Sequence, residues 1–361
     1  MTLSRSEDER FMRRALALAA RGRLTASPNP MVGALLVRRG RIVAEGYHHF
    51  AGRPHAEVLA LRRFSGTAPA TLYVSLEPCA HHGKTPPCVE AILAAPVSRV
   101  VAALRDPDPR VRGKGIAILR AAGREVVTGV LEEEARFLNR MYFHFQKGGL
   151  PYVIVKWAAT LDGRIADRRG RSEWITSEEA RTAGKRIREE VDAVLVGMRT
   201  VHADNPRLAR LREHPPRSPL VKVVLDPRGR LSPRARLFDG SPVIWMTSPR
   251  CRPRRVPRGA RVLTMKPGPR GFDPREILER LAGEGIRSVL VEGGGKTVGH
   301  FLRGRCAQEA VVFFAPKVLG DGVPAVAGLS LPLAHALDVE PFEIGNIGSD
   351  LFLRGRLCSQ A

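Results

Sequence analysis

Apolar residues recur along this chain in two rhythms, one near 3.6 residues and one near two, and the rhythms alternate. Phe11, Ala15, Leu18 and Ala19 fall on one helical face, with Ser6-x-x-Glu9 as a capping box before them and Gly22 as the stop. Val32–Val37 and Ile42–Tyr47 then read as a hairpin turning at Arg39-Gly40. A short helix runs from His55 toward Leu61, followed by a strand at Thr71–Ser75, a cysteine-bearing loop and a helix over Val89–Ala94. Arg99–Leu104 and Glu125–Thr128 read as strands on either side of a helix at Gly115–Ala122, and Glu132–Phe145 reads as one further helix. This alternation predicts an α/β layer.

Gly148-Gly149-Leu150-Pro151 interrupts the pattern, so the expected domains are 1–148 and 149–361. The second part opens with a strand at Tyr152–Trp157 and a turn at Asp162-Gly163. Thr176-x-x-Glu179 caps a helix carrying Ala180, Ala183, Ile187 and Val191 on one side. Strands are expected at Ala193–Val196, Val221–Leu225, Val243–Met246, Ser288–Val291 and Ala310–Phe314. No repeat of fixed period is visible, and the two parts do not resemble each other.

Composition changes this picture little. The 43% hydrophobic and 26% charged shares are those of a soluble globular protein, and no apolar run has the length of a membrane span. The N-terminus mixes acids and bases without an apolar signal core, so a cytoplasmic location is expected. The net charge of +23 raises the question of nucleic acid. It is not concentrated: residues 1–148 carry 23 basic and 13 acidic side chains, and residues 149–361 carry 36 and 23. An even field of this sign also suits small anionic substrates. Nucleic acid is therefore not the expected partner, nor is a membrane.

Five cysteines, Cys79, Cys88, Cys251, Cys306 and Cys358, make a poor disulfide framework. Only Cys79 and Cys88 lie close together, and they point to metal. His55-Ala56-Glu57 and Pro78-Cys79 match the H-x-E…P-C pattern of zinc nucleobase deaminases. Thiolates and imidazole would hold Zn²⁺ with one position open to water, whose pKa the metal lowers to about 7. Glu57, not itself a ligand, would move the protons. The usual spacing is P-C-x-x-C, whereas eight residues, AHHGKTPP, separate Cys79 from Cys88. The general pattern thus leaves the third ligand open among Cys88, His81 and His82.

The insert carries a resemblance. Leu76-Glu77-Pro78-Cys79-Ala80-His81-His82-Gly83-Lys84-Thr85-Pro86-Pro87-Cys88 resembles the bifunctional deaminase/reductase family of riboflavin biosynthesis. So do Asn29-Pro30-x-Val32-Gly33, Gly46-Tyr47-His48 and Pro54-His55-Ala56-Glu57-Val58. The second part continues the likeness in Lys156-x-Ala158-x-x-Leu161-Asp162-Gly163, Trp174-Ile175-Thr176-Ser177, Thr200-Val201-x-Ala203-Asp204-Asn205-Pro206, Val291-Glu292-Gly293-Gly294 and Ala315-Pro316-Lys317.

The resemblance implies a cytidine-deaminase-like α/β/α domain followed by a dihydrofolate-reductase-like α/β domain. It implies one Zn²⁺ per chain on His55, Cys79 and Cys88, with Glu57 catalytic, and NADPH in the second domain. The implied substrate is 2,5-diamino-6-(5-phosphoribosylamino)-4(3H)-pyrimidinone, deaminated and then reduced from ribosyl to ribityl. Asn29, His48, Lys84 and Asp106 would contact it in the deaminase, the His and Lys meeting anionic oxygens. Ser172, Arg188, Asp204, Leu208 and Glu292 would line the reductase substrate site, with Arg188 suited to a sugar phosphate. Ala158, Trp174, Thr200, Asp204, Gly294, Gly295, Lys296 and Thr297, within the segment Gly294–His300, would meet the cofactor. Relatives of this kind imply a homo-oligomer.

Two positions depart from the family. An arginine is usual shortly after Leu208, and here Arg210 and Arg212 flank that place. A Ser or Thr is common after Asp226, where this chain has Pro227, with neither hydroxyl nor N–H. Gly295-Lys296-Thr297 is not a P-loop, since the Gly that motif needs is replaced by Leu290. Three other readings share these residues. A tRNA deaminase fits the metal motif and charge, but not the insert or the large second domain. A non-catalytic zinc module leaves Glu57 without purpose. A deaminase with a purely structural second domain is separated by NADPH consumption.

Overall fold

The computed structural model describes residues 4–83, 85–211 and 219–358, which separate into two compact units dividing between Gly148 and Gly149. The first unit runs α1 (Arg5–Ala20), β1 (Gly33–Arg38), β2 (Arg41–Tyr47), α2 (Ala56–Arg62), β3 (Ala70–Val74), α3 (Cys88–Leu93), β4 (Val97–Ala102), α4 (Lys114–Ala121), β5 (Glu125–Thr128), α5 (Glu132–Leu138) and α6 (Arg140–Gly148). Its sheet has the order β2-β1-β3-β4-β5. The β1–β2 and β1–β3 pairs are antiparallel, and β3–β4–β5 run parallel. Arg39 (φ 49°) and Gly40 (φ 72°) turn the hairpin in the left-handed region that a two-residue loop demands.

Side chains of successive strand residues feed opposite layers, as the period of two requires. Leu36, Leu72, Val74 and Val100 pack with Ala56 and Ala60 of α2, Ile92 of α3 and Leu119 of α4. Leu35, Val37, Tyr73 and Val101 pack on the other side with Phe11, Met12, Ala15 and Leu18 of α1 and Ala135 of α5. The result is an α/β/α sandwich: the alternation predicted an α/β layer, and the family resemblance implied helices on both faces.

Three local expectations need correction. The capping box of α1 is Ser4 with Glu7, not Ser6 with Glu9: Ser4 N donates to Glu7 Oε2 (3.0 Å) and Glu7 N to Ser4 Oγ (3.4 Å). Both frames have the same spacing, and the earlier start leaves Asp8 inside the helix, buried against the sheet. Glu132–Phe145 is two helices, broken at Asn139, whose amide exchanges hydrogen bonds with Met31 N (2.8 Å) and Met31 O (2.9 Å). That pairing anchors the segment carrying Asn29. In the second unit the helix cap is Ser177 rather than Thr176, and the helix ends at Arg186, so Val191 lies beyond it.

Asp8 illustrates how buried charge is managed. Arg99 from β4 grips both its oxygens at 2.8 Å, and Tyr73 donates at 2.6 Å. Burial opposes its ionisation, but the Arg99 and Tyr73 bonds outweigh that and hold its pKa below the ordinary value. A depressed carboxyl contributes stability that is present at neutral pH and lost as pH falls below about 4. Arg99→Leu is expected to destabilise the first unit by about 3–5 kcal/mol, because it leaves the buried Asp8 carboxylate without its counter-charge, held by Tyr73 alone. Denaturant unfolding at pH 7 checks this, and the deficit should shrink when repeated at pH 3.

The second unit contains β6 (Tyr152–Thr160), β7 (Arg164–Asp167), α7 (Glu178–Arg186), β8 (Ala193–Gly197), α8 (Met198–Asp204), β9 (Val221–Asp226), β10 (Val243–Thr247), β11 (Ala260–Thr264), α9 (Pro274–Gly283), β12 (Ser288–Val291), α10 (Gly295–Arg303), β13 (Glu309–Ala315), β14 (Gly322–Pro324), β15 (Asp338–Ile347) and β16 (Asp350–Cys358). Its nine-stranded sheet has the order β11-β10-β9-β8-β12-β6-β13-β16-β15. The strands from β11 to β13 are parallel, and β16 and β15 add an antiparallel edge. Central strands such as Val153–Val155 and Val194–Val196 are buried on both faces, hence their unbroken apolar runs. The chain steps outward from β8 to β11 and then returns to insert β12 between β8 and β6. Helix α10 starts beyond that insertion, at the carboxyl end where open α/β sheets bind ligands.

Candidate active sites

In the first unit, His55 is the N-cap of α2 and Cys88 the first residue of α3, two neighbouring helices on one face of the sheet. Cys79 lies in the loop after β3. His55, Cys79 and Cys88 offer ligand atoms that all fall within 4.8 Å of one another, the only such group of three or more among the described residues. His55 Nδ1 stands 3.1 Å from Cys88 Sγ and 3.5 Å from Cys79 Sγ. His81 and His82 are outside the group. Of the three candidates for third ligand, the fold brings Cys88 to the place.

The donor set suits zinc. Hydrogen bonding from the Cys88 side chain pulls the Cys79 thiol well below its ordinary value, against burial, which favours the thiolate that a metal needs. The backbone N–H of Cys88 adds a bond to the same sulfur at 3.3 Å. Thr85 Oγ1 lies 3.3 Å from His55 Nε2 and orients the ring with Nδ1 toward the sulfurs. Nothing in the sequence marks Thr85 for this task except its place within the insert. Glu57, in the first turn of α2, is 3% exposed, and its Oε2 has no hydrogen-bond partner among the described residues. Burial drives its pKa up, offset in part by His55. A buried carboxyl with one oxygen unengaged beside a metal-type cluster is poised to accept and return a proton.

Asn29 and His48 come together next to this cluster. Asn29 Nδ2 is 3.0 Å from His48 Nε2, and the His48 and His55 rings meet edge to face at 5.3 Å. Burial lowers the His48 pKa to about 4. Since its Nδ1 faces the carbonyl of Pro54 at 3.3 Å, that nitrogen carries the hydrogen and Nε2 accepts from Asn29. Burial disfavours a charge on His48, and its ring orients the Asn29 amide. Asp106 is buried, accepts from Asp108 N (2.9 Å) and Tyr142 Oη (3.1 Å), and is raised to about 6 by burial. Lys84 lies outside the described residues.

In the second unit two groups of expected residues assemble. Arg188 grips Glu292 bidentately at 2.8 and 2.7 Å, with side chains 13% and 12% exposed. Burial raises the Glu292 carboxyl, but Arg188 overrides it and holds the pKa low. Lys156 on β6 lies within electrostatic reach of this pair, and burial lowers its ammonium pKa. Its sequence motif assigns Lys156 no task, because its place near Glu292 is tertiary. The Arg188 fork expected to meet a sugar phosphate is already engaged. Arg210 is buried, donating to the carbonyls of Arg188 (3.2 Å) and Val191 (2.9 Å), and Arg212 lies outside the described residues.

The second group surrounds the start of α10. Gly294 N donates to Thr200 Oγ1 at 3.0 Å, and Thr297 packs over Gly293 and Gly197. A Cβ at Gly295 would lie 2.1 Å from the Pro324 carbonyl, so only glycine lets α10 approach that strand. A cavity of about 660 Å³ opens beside it, lined by Gly197, Leu225, Pro227, Arg270, Phe272, Lys296, Thr297, His300, Arg303 and Gly328 among others. Its size and basic wall fit part of a dinucleotide. Trp174 is 63% exposed, not core, with the Arg181 guanidinium 4.2 Å above its ring and Lys317 Nζ donating to its carbonyl at 2.8 Å. Asp204 ends α8, its pKa raised by desolvation and by Glu173. Ala158 pairs with Phe313 across β6–β13, Ser172 is half-buried, and Leu208 is buried.

Fold and site together define a zinc-type deaminase unit joined to an α/β reductase unit. The family model described as the cytidine and deoxycytidylate deaminase zinc-binding region matches residues 5–104, and the RibD C-terminal domain matches residues 151–353. The chain belongs to the RibD family of riboflavin biosynthesis proteins. It is 41% identical to the riboflavin biosynthesis protein RibD of Aquifex aeolicus, over 97% of this chain and 98% of that protein. Identity to RibD of Escherichia coli is 39%, over 96% and 98%. Among solved structures, form 1 of Acinetobacter baumannii RibD superposes with a TM-score of 0.89 at 36% identity, covering 99% of this chain and 100% of that one. The Thermotoga maritima diaminohydroxyphosphoribosylaminopyrimidine deaminase/5-amino-6-(5-phosphoribosylamino)uracil reductase gives 0.89 at 37%, covering 98% and 99%.

Proposed function

We propose that the chain performs two successive steps on one phosphorylated pyrimidine. Residues 1–148 remove the 2-amino group of 2,5-diamino-6-(5-phosphoribosylamino)-4(3H)-pyrimidinone, and residues 149–361 reduce its ribosyl group to ribityl with NADPH. The observation that carries this reading is the convergence of His55, Cys79 and Cys88 on one another, with the buried Glu57 carboxyl two residues after His55 keeping one oxygen without a partner among the described residues.

His55, Cys79 and Cys88 hold the zinc, which when bound supplies the Lewis acidity that makes water a nucleophile at neutral pH. Glu57 takes one proton from the attacking water and gives it to the ring nitrogen, then takes the second from the newly added hydroxyl and gives it to the amine, which leaves as ammonia. Its burial raises the carboxyl above its ordinary value, which makes it a stronger base than an exposed carboxylate. Asn29, fixed by neutral His48, reads the edge of the pyrimidine. Lys84 and Asp106 complete the substrate contacts in this reading.

In the reductase unit NADPH supplies the hydride. Thr200 and the Gly294–Thr297 backbone hold its phosphates at the start of α10, and Ala158, Trp174 and Asp204 border the nicotinamide. Lys156, a half-buried ammonium with a lowered pKa, gives a proton to the sugar oxygen as the ribose opens, and Glu292 positions it. Ser172, Arg188 and Leu208 shape the rest of the pocket. No helix among the described residues is long and apolar enough to cross a membrane. The cytoplasm is the location that suits this activity, because its reducing poise keeps the Cys79 and Cys88 thiolates available to metal. The exposed edge strand β15, with Phe342 and Ile344 open to solvent, supports assembly as a homo-oligomer.

The test supplies the diaminopyrimidine nucleotide and NADPH to the zinc-loaded full chain. Ammonia release followed by stoichiometric loss of NADPH absorbance is expected. Ammonia without NADPH loss would remove the reductase assignment. A base change in tRNA without turnover of the nucleotide would remove the substrate assignment altogether.

A further inference from the structure

Four cationic or potentially cationic side chains line the cavity beside α10, and no carboxylate does among the described residues. Lys296, His300 and Arg303 stand at i, i+4 and i+7 on one face of that helix, while Arg270 lines the cavity from a loop. Two of the four are engaged within the protein. His300 Nε2 donates to the Phe272 carbonyl at 2.6 Å, and Arg303 donates to the Gly328 carbonyl, so these residues fasten the cavity walls to α10. Lys296 and Arg270 have no partner among the described residues. The cavity therefore presents two cations without a partner among the described residues, one at the start of α10 and one on the loop that precedes α9.

Ligand chemistry follows from what the wall lacks. Dinucleotide sites that accept an unphosphorylated adenosine ribose offer an acid to its 2′-hydroxyl, and those for the 2′-phosphate offer a cation. The acid at the end of β9, Asp226, is fully buried and accepts from Arg230 N (2.9 Å), Leu231 N (2.8 Å) and Trp245 Nε1 (3.0 Å). Pro227, which follows it into the cavity wall, has no donor. Resting on the reductase reading above, we infer that this cavity holds the adenosine half of NADPH, with Lys296 on the diphosphate and Arg270 on the 2′-phosphate. Arg270 then sets the preference for NADPH over NADH.

Titration calorimetry with adenosine 2′,5′-bisphosphate and 5′-AMP isolates the 2′-phosphate without any turnover. The full chain is expected to bind the bisphosphate at least about tenfold more tightly, as a charge-assisted contact warrants. Arg270→Ala should bring the ratio close to one, and Arg270→Lys should restore part of it. Lys296→Gln should weaken both ligands alike, through the shared 5′-phosphate, and keep the ratio. The kcat/KM ratio of NADPH to NADH should fall with Arg270→Ala in step with the binding ratio. A wild-type ratio retained in Arg270→Ala, or equal binding of both ligands by the wild type, overturns the inference. If the wild-type chain oxidises neither NADPH nor NADH with the deaminated pyrimidine, the reductase reading itself has failed, which is a distinct result.

Discussion

Glu57→Gln is expected to lower the deamination rate by about 10²–10⁴-fold, the range a positioned general acid–base contributes, while zinc stays near one per chain. The reason is steric as much as chemical. Glu57 is buried in the first turn of α2 and is not among the three groups that converge as ligands. An amide of the same shape keeps the packing with Ala56 and Ala60 undisturbed but cannot take a proton. Metal analysis together with ammonia release separates the two effects. Zinc lost along with activity would mean that Glu57 supports the ligand cluster, and unchanged deamination would end the proton-shuttle role. NADPH oxidation with the deaminated intermediate should be unaffected, since the reductase residues lie in the other unit.

The second large effect concerns Glu292. Glu292→Ala leaves the Arg188 guanidinium in a site where its side chain is 13% exposed, without the carboxylate that grips it at 2.7 and 2.8 Å. A cost of about 3–5 kcal/mol to the second unit is expected, because an unpaired buried charge is worse than none. Reductase activity should vanish too, since Lys156 loses the carboxylate within its electrostatic reach. The double variant Arg188→Met/Glu292→Leu distinguishes stability from chemistry: it should recover much of the lost stability but no NADPH oxidation. Denaturant unfolding of the full chain, read as two transitions, supplies the first measurement. A Glu292→Ala enzyme that oxidises NADPH normally would remove both Lys156 and Glu292 from the mechanism.

The metal cluster is legible in the sequence because its chemistry is local. His55-Ala56-Glu57 places a ligand and a carboxylate on one helical turn, and Pro78-Cys79 with Cys88 brackets a short loop. What the general motif leaves undecided, the choice among Cys88, His81 and His82, depends on the packing of α3 beside α2. The charge state of His48 is illegible for a related reason. A histidine reads as a cation in sequence, and only burial against Asn29 and Pro54 makes it a neutral spacer.

In the second half the sequence shows central strands well and the edges poorly. The apolar runs of β6, β8, β9 and β10 stand out because both faces are buried. The final strands β15 and β16, half exposed and interrupted by Pro341, do not stand out from their surroundings. Residue type alone points Arg188 to a phosphate, and the fold instead engages it with Glu292, 104 positions away.

By itself, then, the sequence determined the alternation of elements, the metal ligands' types and the place of the Gly-rich start of α10, since each rests on neighbours within a few residues. The tertiary structure decided which cysteine completes the cluster, that one Glu57 oxygen has no partner among the described residues, and that Lys156 lies within electrostatic reach of Glu292. It also decided which two of four cations in one cavity stay free among the described residues. Burial and long-range pairing set those outcomes, and both exist only once the sheets have formed.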